Sequence, residues 1–371
     1  MKQKQIYKKI LKIAIVLGTR PEIIKMSPII RECQKKHLNF FILHTNQHYS
    51  ENLDRVFFKE LELPQPKYNL NIGSGMHGEQ TGKMLIEIEK VLTKEKPNIV
   101  LVEGDTNTVL AGALAAVKLH IKVGHIEAGL RSYDNMMPEE VNRILTDHCS
   151  DFLFVPTNIT KDNLVLEGIS KRKIFVVGNT IVDAVYQNLK FAQKKSKILD
   201  KLNFKKENYF LLTIHRQENV DNEERFKGIL KGLKLVYEKY NLPIIYPIHP
   251  RAEKMIKKFN LTIPKGIKVI KPVGYLDFLN LEKNARLILT DSGGVQEESC
   301  ILKVPCVTLR DNTERSETIK VGSSVLSGVN PQRILRSTSK MINRKRSWEN
   351  PFGNGKSAEK IIETLIKNLK N

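Results

Sequence analysis

The sequence predicts an α/β protein of two units, each a parallel sheet covered by helices, with the sheets facing across a cleft. Three observations lead there. The chain has 371 residues, enough for two buried cores. Short β-branched runs alternate along it with glycine-containing loops and helical stretches, which is the pattern of parallel sheets covered on both faces. A lysine-rich amphipathic stretch, Gln187–Asn208, interrupts that rhythm before it restarts, and the boundary between units is expected near it.

In the first half, Lys12–Leu17 is read as a strand, followed by a helix from about Pro21 to Lys35. Asn39–Leu43 and Asn98–Val102 are further strands. Thr106–His120 reads as an alanine-rich helix that packs closely on a sheet. Lys122–Ile126, Asp151–Val155 and Ile174–Val177 complete the half. In the second half, Tyr209–Thr213, Pro243–Ile248, Lys268–Ile270, Leu287–Thr290 and Cys306–Leu309 are the strands. No residue-level repeat relates the halves; only the strand–loop–helix order recurs.

Composition narrows the class. Hydrophobic residues make up 41% and charged residues 27%, the balance of a soluble globular protein. The cysteines at 33, 149, 300 and 306 form no Cys-x-x-Cys pair and no cluster with histidine. Neither a disulfide framework nor a metal site is expected, and a cytoplasmic location fits. Met1–Lys12 is basic and Ile13–Leu17 apolar, but five apolar residues are too few for a signal-peptide core. The segment reads as a basic tail entering the first strand, and no stretch has the length of a membrane span. The formal charge of +21 raises a nucleic-acid partner. The lysines are spread along the whole chain, however, with denser patches at Lys190–Lys206 and near the C-terminus, and no aromatic side chains interleave with them as stacking platforms. Nucleic-acid binding is not expected.

In parallel sheets, ligands bind beyond the carboxyl ends of the strands, so the residues just after each strand carry the search. They are unusually polar. Strand one runs into Gly18-Thr19-Arg20-Pro21-Glu22, with Lys25 one turn later. Val102 is followed by Glu103-Gly104-Asp105-Thr106, and His125-Ile126 by Glu127-Ala128-Gly129-Leu130-Arg131. In the second half, Thr213 leads to His215-Arg216-Gln217-Glu218-Asn219. Ile248 leads to His249-Pro250-Arg251, Thr290 to Asp291-Ser292-Gly293-Gly294, and Leu309 to Arg310 through Arg315.

Ser292-Gly293-Gly294 is the best anion-binding candidate, because glycine lets a ligand approach the backbone and the helix that follows aims free N–H groups at it. Arg20, Lys25 and Arg315 add charge-assisted donors for a diphosphate, and Glu298 offers an acceptor to a ribose hydroxyl. The ordinary alternative is a tight strand-to-helix turn. Asp105, Glu127, Glu139 and His215 form the acid/base set. Glu139 follows Pro138 at a helix start beside Glu140, one turn before Arg143. Grouped carboxylates raise one another's proton affinity and suit proton transfer near neutrality. Gly73-Ser74-Gly75-Met76-His77-Gly78 matches G-x-G-x-x-G literally. It follows a short polar segment, and about 20 residues on lies a charged helix around Glu95, so it is not read as a dinucleotide site.

Taken together, the motifs resemble one family. GTRPEIIKMSPII at 18–30, GDTNTVLAGALAA at 104–116, GHIEAGLRS at 124–132 and PEEVNR at 138–143 are similar to signatures of the non-hydrolysing UDP-N-acetylglucosamine 2-epimerases. HRQEN at 215–219, DSGGVQEE at 291–298 and RDNTERSE at 310–317 are similar too, in the same order. The resemblance implies two Rossmann-like domains in the GT-B arrangement. Residues 1–185 form the N-terminal domain, which receives a C-terminal helix at about 355–371. Residues 186–354 form the UDP-binding domain. It also implies a homodimer that works without a cofactor on precursors of surface polysaccharide.

The implied reaction is an anti elimination of UDP to a 2-acetamidoglucal, followed by re-addition with carbon 2 inverted. The resemblance places Asp105, Glu127 and Glu139 as the acids, with base and acid unassigned among them, and His215 near the phosphates. Arg20, Lys25, Arg143, His249, Ser292, Gly293, Gly294, Glu298 and Arg315 are the implied substrate contacts. Bacterial members bind a second substrate molecule as activator. Gln47, His48 and Arg216 match parts of that site, as does His249. At Ile72–Gln80 the sequence departs from the pattern, with a glycine-rich loop where an arginine is expected. Relatives acting on UDP-2,3-diacetamido-2,3-dideoxy-glucuronate share most motifs, including TNQHYSEN at 45–52. UDP-N-acetylglucosamine is the favoured substrate, that uronate the alternative, and a GT-B glycosyltransferase or a hydrolysing epimerase more distant ones.

Overall fold

Seven parallel strands build the first sheet of the structure, a computed structural model that describes residues 11–47 and 57–369. They are β1 (Lys12–Leu17), β2 (Asn39–His44), β3 (Tyr68–Asn69), β4 (Ile99–Glu103), β5 (Lys122–Ile126), β6 (Phe152–Val155) and β7 (Ile174–Val176). Their order is β3-β2-β1-β4-β5-β6-β7. The compact unit around them runs to Tyr186 and resumes at Phe352, and the second unit is Gln187–Pro351.

Both faces of the first sheet are apolar because both are covered. Ala14, Val16, Val100 and Val102 point into a core with Met84, Ile88 and Leu92 of the helix His77–Glu95. Ala111, Ala113, Ala115 and Ala116 of the helix Asn107–Lys118 are fully buried, and their small side chains bring that helix close to the strands. Each Val, Leu or Ile so buried stabilises the fold by about 1.5–3 kcal/mol. The helix Arg20–Lys35 buries Ile23, Met26, Ile29 and Ile30. Against it packs the last helix, Ser357–Asn368. The start of that last helix is capped from a distance, since Asp183 accepts from the amides of Ser357 (3.1 Å) and Ala358 (3.0 Å).

The second unit repeats the design with six strands: β8 (Phe210–Thr213), β9 (Ile244–Pro247), β10 (Ile267–Ile270), β11 (Leu287–Thr290), β12 (Cys306–Thr308) and β13 (Ser324–Leu326). They are ordered β10-β9-β8-β11-β12-β13, again all parallel. Phe210, Leu212, Tyr246, Leu287 and Leu289 meet Phe226, Ile229 and Leu233 of the helix Glu223–Tyr240 in its core. In each sheet the order reverses direction once, between β1 and β4 and between β8 and β11. These are the switch points where loops diverge and leave room for a ligand.

The fold class is the expected one, α/β with two Rossmann-like parallel sheets. Two edge strands, β3 and β13, were not anticipated; each has only two or three residues and no apolar run. β10 is half-exposed at its edge, with Val269 facing solvent. The loop carrying Gly73–Gly78 follows β3, and the helix it enters ends at Glu95, which ion-pairs with Lys12 and Lys67. Among the described residues, no helix is long and apolar enough to cross a membrane.

Gly129 shows how tightly the strand-end loops are set. Its φ is +78°, and a Cβ there would lie 2.3 Å from the Thr160 carbonyl oxygen. Gly129→Ala therefore combines left-handed strain with a backbone clash and is expected to cost about 3 kcal/mol or more. Thermal unfolding checks this through a midpoint roughly 6–12 °C below that of the unmodified chain.

Candidate active site

At the first switch point a hydroxyl pair closes the floor: Thr45 Oγ1 and Thr108 Oγ1 lie 2.8 Å apart beside the end of β1. Thr19 is the N-cap residue of the helix Arg20–Lys35, and Glu22 at the third helical position turns back to accept from its amide. The Glu22 carboxyl takes the amides of Gly18 (2.5 Å) and Thr19 (3.3 Å) and pairs with the Thr106 hydroxyl (2.6 Å). Full burial outweighs those bonds and pushes its pKa up to about 7.

One turn later, Lys25 reaches two carboxylates. Its Nζ stands 2.5 Å from Glu127 Oε2 and 3.1 Å from Glu103 Oε1. All three side chains are at most 12% exposed. Glu127 follows β5 with φ +68°, a conformation costly for a residue with a Cβ and therefore held by its surroundings. Asn179 Nδ2 donates to the other Glu127 oxygen at 3.0 Å. Glu103, the last residue of β4, is pushed well above the usual carboxyl range by burial first, against the pull of Lys25 and with a further push from Glu127.

Asp105 lies beside this group but has its own cation, with Arg143 Nη2 2.5 Å from its Oδ2. Arg143 is held in turn by Glu140 at 2.7 Å, and Asn142 donates to the Asp105 carbonyl at 3.0 Å. Glu140 also accepts from the amides of Ser132 and Tyr133, so it is the buried, structural member of the Glu139–Glu140 pair. Glu139 is exposed on the first turn of the helix Pro138–Cys149. Beneath them, His125 Nε2 donates to the Gly104 carbonyl (2.8 Å), while Nδ1 meets Asp147 (2.7 Å). Asp147 also binds Arg131 (2.8 Å) and the Gly129 amide (3.1 Å). This network ties the loop after β4 to the loop after β5. Arg20 is half-buried with its guanidinium 5.4 Å from the Phe57 ring centroid. Gln47 follows β2 and accepts from Thr108 at 3.1 Å. His48 lies outside the described residues.

The second unit's switch point is built on Asp291. This fully buried carboxylate accepts from the amides of His215 and Arg216, each at 3.1 Å, and from Asn219 Nδ2 at 3.2 Å. It thereby fastens the loop after β8 to the end of β11. His215 Nδ1 is 3.2 Å from Asp291, and its partly exposed ring packs against His249, with centroids 5.6 Å apart. Those donors, with His215, hold the Asp291 carboxyl below its usual pKa against the opposing effect of burial.

The helix Gly293–Ile301 starts beside them, capped by Ser292 Oγ, which accepts from Val295 at 3.4 Å. Its first amides have no partner within the helix and supply its positive end. A Cβ on Gly293 would lie 2.6 Å from Glu314 Oε1 and force that carboxylate to shift, whereas on Gly294 it would meet only Ser292 Oγ, at 3.8 Å. Arg216 lies 3.1 Å from Glu314, and Arg310 lies 2.8 Å from it. Burial raises the Glu314 pKa, but Arg315, Arg310 and Arg216 together hold it well below the usual range. Arg315 is buried against Glu297 at 2.9 Å, and Glu298 accepts from the buried Tyr275 hydroxyl at 2.8 Å.

The structure thus gathers Lys25, Asp105, Glu127 and Arg143 at one sheet edge. It gathers His215, Arg216, His249 and Ser292–Gly294 at the other. Sequence reasoning passed over Glu22, Glu103 and Asn179. Glu103 lies in the polar run after Val102 and Glu22 in the GTRPE string, but their burial depends on the packing of the sheet.

Comparison with known proteins decides the family. The model of the UDP-N-acetylglucosamine 2-epimerase family matches residues 31–366. The chain belongs to this family. The UDP-N-acetylglucosamine 2-epimerase of Methanocaldococcus jannaschii is 63% identical over 96% of this chain and 99% of the relative. The crystal structure of that archaeon's UDP-GlcNAc 2-epimerase, in complex with UDP-GlcNAc and UDP, matches with a TM-score of 0.90 over 96% of this chain and 100% of that one. The UDP-2,3-diacetamido-2,3-dideoxy-D-glucuronate 2-epimerase of Pseudomonas aeruginosa is 41% identical over 96% of this chain and 100% of its own length.

In this 2-epimerase-family chain, Glu22 gives the pH dependence a sign. Folded, it keeps its proton to about pH 7, while the unfolded chain releases it near 4.5. Stability is therefore full below that lower value and falls as pH rises through the interval. Glu22→Gln imitates the protonated form, since its amide donates to Thr106 while its oxygen still accepts from the loop. Urea unfolding is expected to show the variant gaining roughly 3 kcal/mol on the unmodified chain between about pH 4.5 and pH 7.5.

Proposed function

We propose that the chain is a UDP-N-acetylglucosamine 2-epimerase, an isomerase that interconverts UDP-N-acetylglucosamine and UDP-N-acetylmannosamine. The 63% identity to the M. jannaschii enzyme, against 41% to the diacetamido-glucuronate enzyme, favours this substrate. The observation that carries the chemistry is the Lys25–Glu127–Asn179 cluster at the first switch point. A carboxylate taken out of water needs an opposite charge and directed donors to stay ionised, and Glu127 has both.

In this reading the carbon 2 proton is not acidified by a carbonyl, so elimination depends on stabilising the departing diphosphate. The second unit supplies that stabilisation through the amides of Gly293 and Gly294, the positive end of their helix, Arg216 and His215. Asp291 leaves His215 Nε2 to the phosphates by engaging Nδ1. Glu298 takes a ribose hydroxyl. Asp105, held by Arg143, and Glu127, held by Lys25, move protons on the two faces of carbon 2, with Glu139 a further acid on the exposed turn. The C2–H electron pair becomes the C1–C2 double bond of a 2-acetamidoglucal as UDP leaves with the C1–O pair. UDP then returns to C1 while C2 takes a proton on the opposite face. Arg20 and Arg315 add positive charge for the anionic substrate, and Gln47, Arg216 and His249 are the described part of an activator site. The same reading makes the protein a cytoplasmic homodimer.

Proton NMR of the purified chain with UDP-N-acetylglucosamine in deuterated water tests this. The UDP-N-acetylmannosamine anomeric signal is expected, with deuterium entering carbon 2 and no accumulation of free UDP. Turnover of the diacetamido-uronate alone would reassign the substrate, and free UDP would indicate hydrolysis. Glu127→Gln is expected to lower kcat by about 100-fold or more with folding intact.

A further inference from the structure

Glu103 is a buried titratable side chain to which the proposed reaction gives no part. It ends β4, one residue before the Gly104-Asp105 turn, with its side chain 2% exposed. Its Oε1 is 3.1 Å from the Lys25 ammonium, which stands 2.5 Å from Glu127 Oε2, so two buried carboxyls face one cation. One ammonium balances one carboxylate, and a second carboxyl held out of water beside it keeps its proton. The cluster therefore contains two carboxyls, one ammonium and one acid proton.

We infer that Glu103 is a positioning residue for Glu127: it holds that proton at working pH and leaves the Lys25 charge to Glu127 alone. The inference rests on the reading of Glu127 as a proton-transfer group. Its surroundings support where the proton resides. Glu127 has a second donor in Asn179, whereas Glu103 Oε1 has the Lys25 ion pair and no hydrogen-bond partner among the described residues. The better-solvated carboxyl is the one that stays ionised. Among the described residues, the other charged groups facing Glu103 add no cation. Glu22, on the helix that carries Lys25, adds repulsion; Asp105 is turned to Arg143; and His125 of β5 is spent on the Gly104 carbonyl and Asp147. Burial pushes the Glu103 carboxyl in the same direction.

Charge accounting gives the consequence. At rest the cluster is neutral, with Glu103 protonated, Glu127 ionised and Lys25 charged. It becomes +1 when Glu127 accepts a proton and neutral again when Glu127 gives one back; Glu103 keeps its own proton throughout. Loss of that last proton at higher pH sets two carboxylates against one ammonium. The cluster is then −1 in the path of an anionic substrate, and the lysine is divided between two carboxylates. A neutral isostere at 103 cannot enter that state.

The test is the dependence of kcat/KM on pH for the full chain and for Glu103→Gln, from about pH 5.5 to about pH 9.5. The unmodified chain is expected to lose kcat/KM on the alkaline side. Glu103→Gln is expected to keep kcat within about threefold near neutrality and to lack that alkaline decline. An alkaline decline unchanged in Glu103→Gln would overturn the inference, because a purely structural glutamate has no reason to set it. Thermal midpoints read the same proton without turnover. The folded-state carboxyl is the less acidic one, so the unmodified chain is expected to lose stability relative to Glu103→Gln as pH rises from about 5 to about 9. A midpoint difference constant with pH would again overturn it. Failure of the unmodified chain to epimerise, with the pH-dependent midpoint difference present, would refute the functional reading and leave the Glu103 proton standing.

Discussion

Everything at the two candidate edges depends on one constraint, the parallel pairing of strands in a 3-2-1-4-5-6 order, which the first sheet extends by a seventh strand. Parallel strands all end on the same side, so the loops after β1, β4 and β5 meet although 102 residues of chain separate Lys25 from Glu127. In the central strands β1, β4, β8 and β11 the interior is apolar on both faces, and polar chemistry enters where those strands stop. β4 shows the limit, because its run of buried aliphatics ends in Glu103, a carboxyl still inside the sheet. The second unit repeats the arrangement with Asp291, fully buried at the end of β11. There the carboxylate is made tolerable by two amides, an asparagine and a histidine.

The two edges solve the cost of buried charge in opposite ways. In the second unit, arginines surround Glu314 and its carboxyl stays ionised. In the first, a single lysine serves both Glu103 and Glu127, and Glu22 has hydrogen bonds but no cation within ion-pair distance among the described residues. Carboxyls without a full counter-charge keep protons instead. An edge with protons to hold is suited to acid/base work, and an edge with excess guanidinium and free helix amides to holding an anion. This division follows from where the cations are placed.

Much of this was legible in the sequence because strand ends are local. An apolar run that stops at a polar, glycine-containing loop marks its own boundary, and eleven of the thirteen strands were visible that way to within a residue or two. β3 and β13 escaped because pairing with a neighbouring strand, not their own composition, makes them strands. At the edges the residue types were legible and the partners were not. Lys25 reads as a diphosphate ligand, and its contacts include Glu103 and Glu127, residues that only the sheet order brings to it. Glu140 and Glu139 are adjacent in sequence, and helical geometry alone turns one inward to Arg143 and leaves the other exposed.

The overall charge illustrates why such partners cannot be read from composition. The chain has 61 lysines and arginines against 40 aspartates and glutamates, an excess that suggests no carboxyl should lack a cation. Yet Glu282 is fully buried in the second unit with neither carboxyl oxygen hydrogen-bonded among the described residues, and burial pushes it well above its usual range. Glu22 and Glu103 are raised by burial in the first unit. A long cationic side chain keeps its head in water unless a fixed geometry draws it in, so surface lysines do not serve interior acids. Charge balance inside the fold is set residue by residue, and protons make up the shortfall.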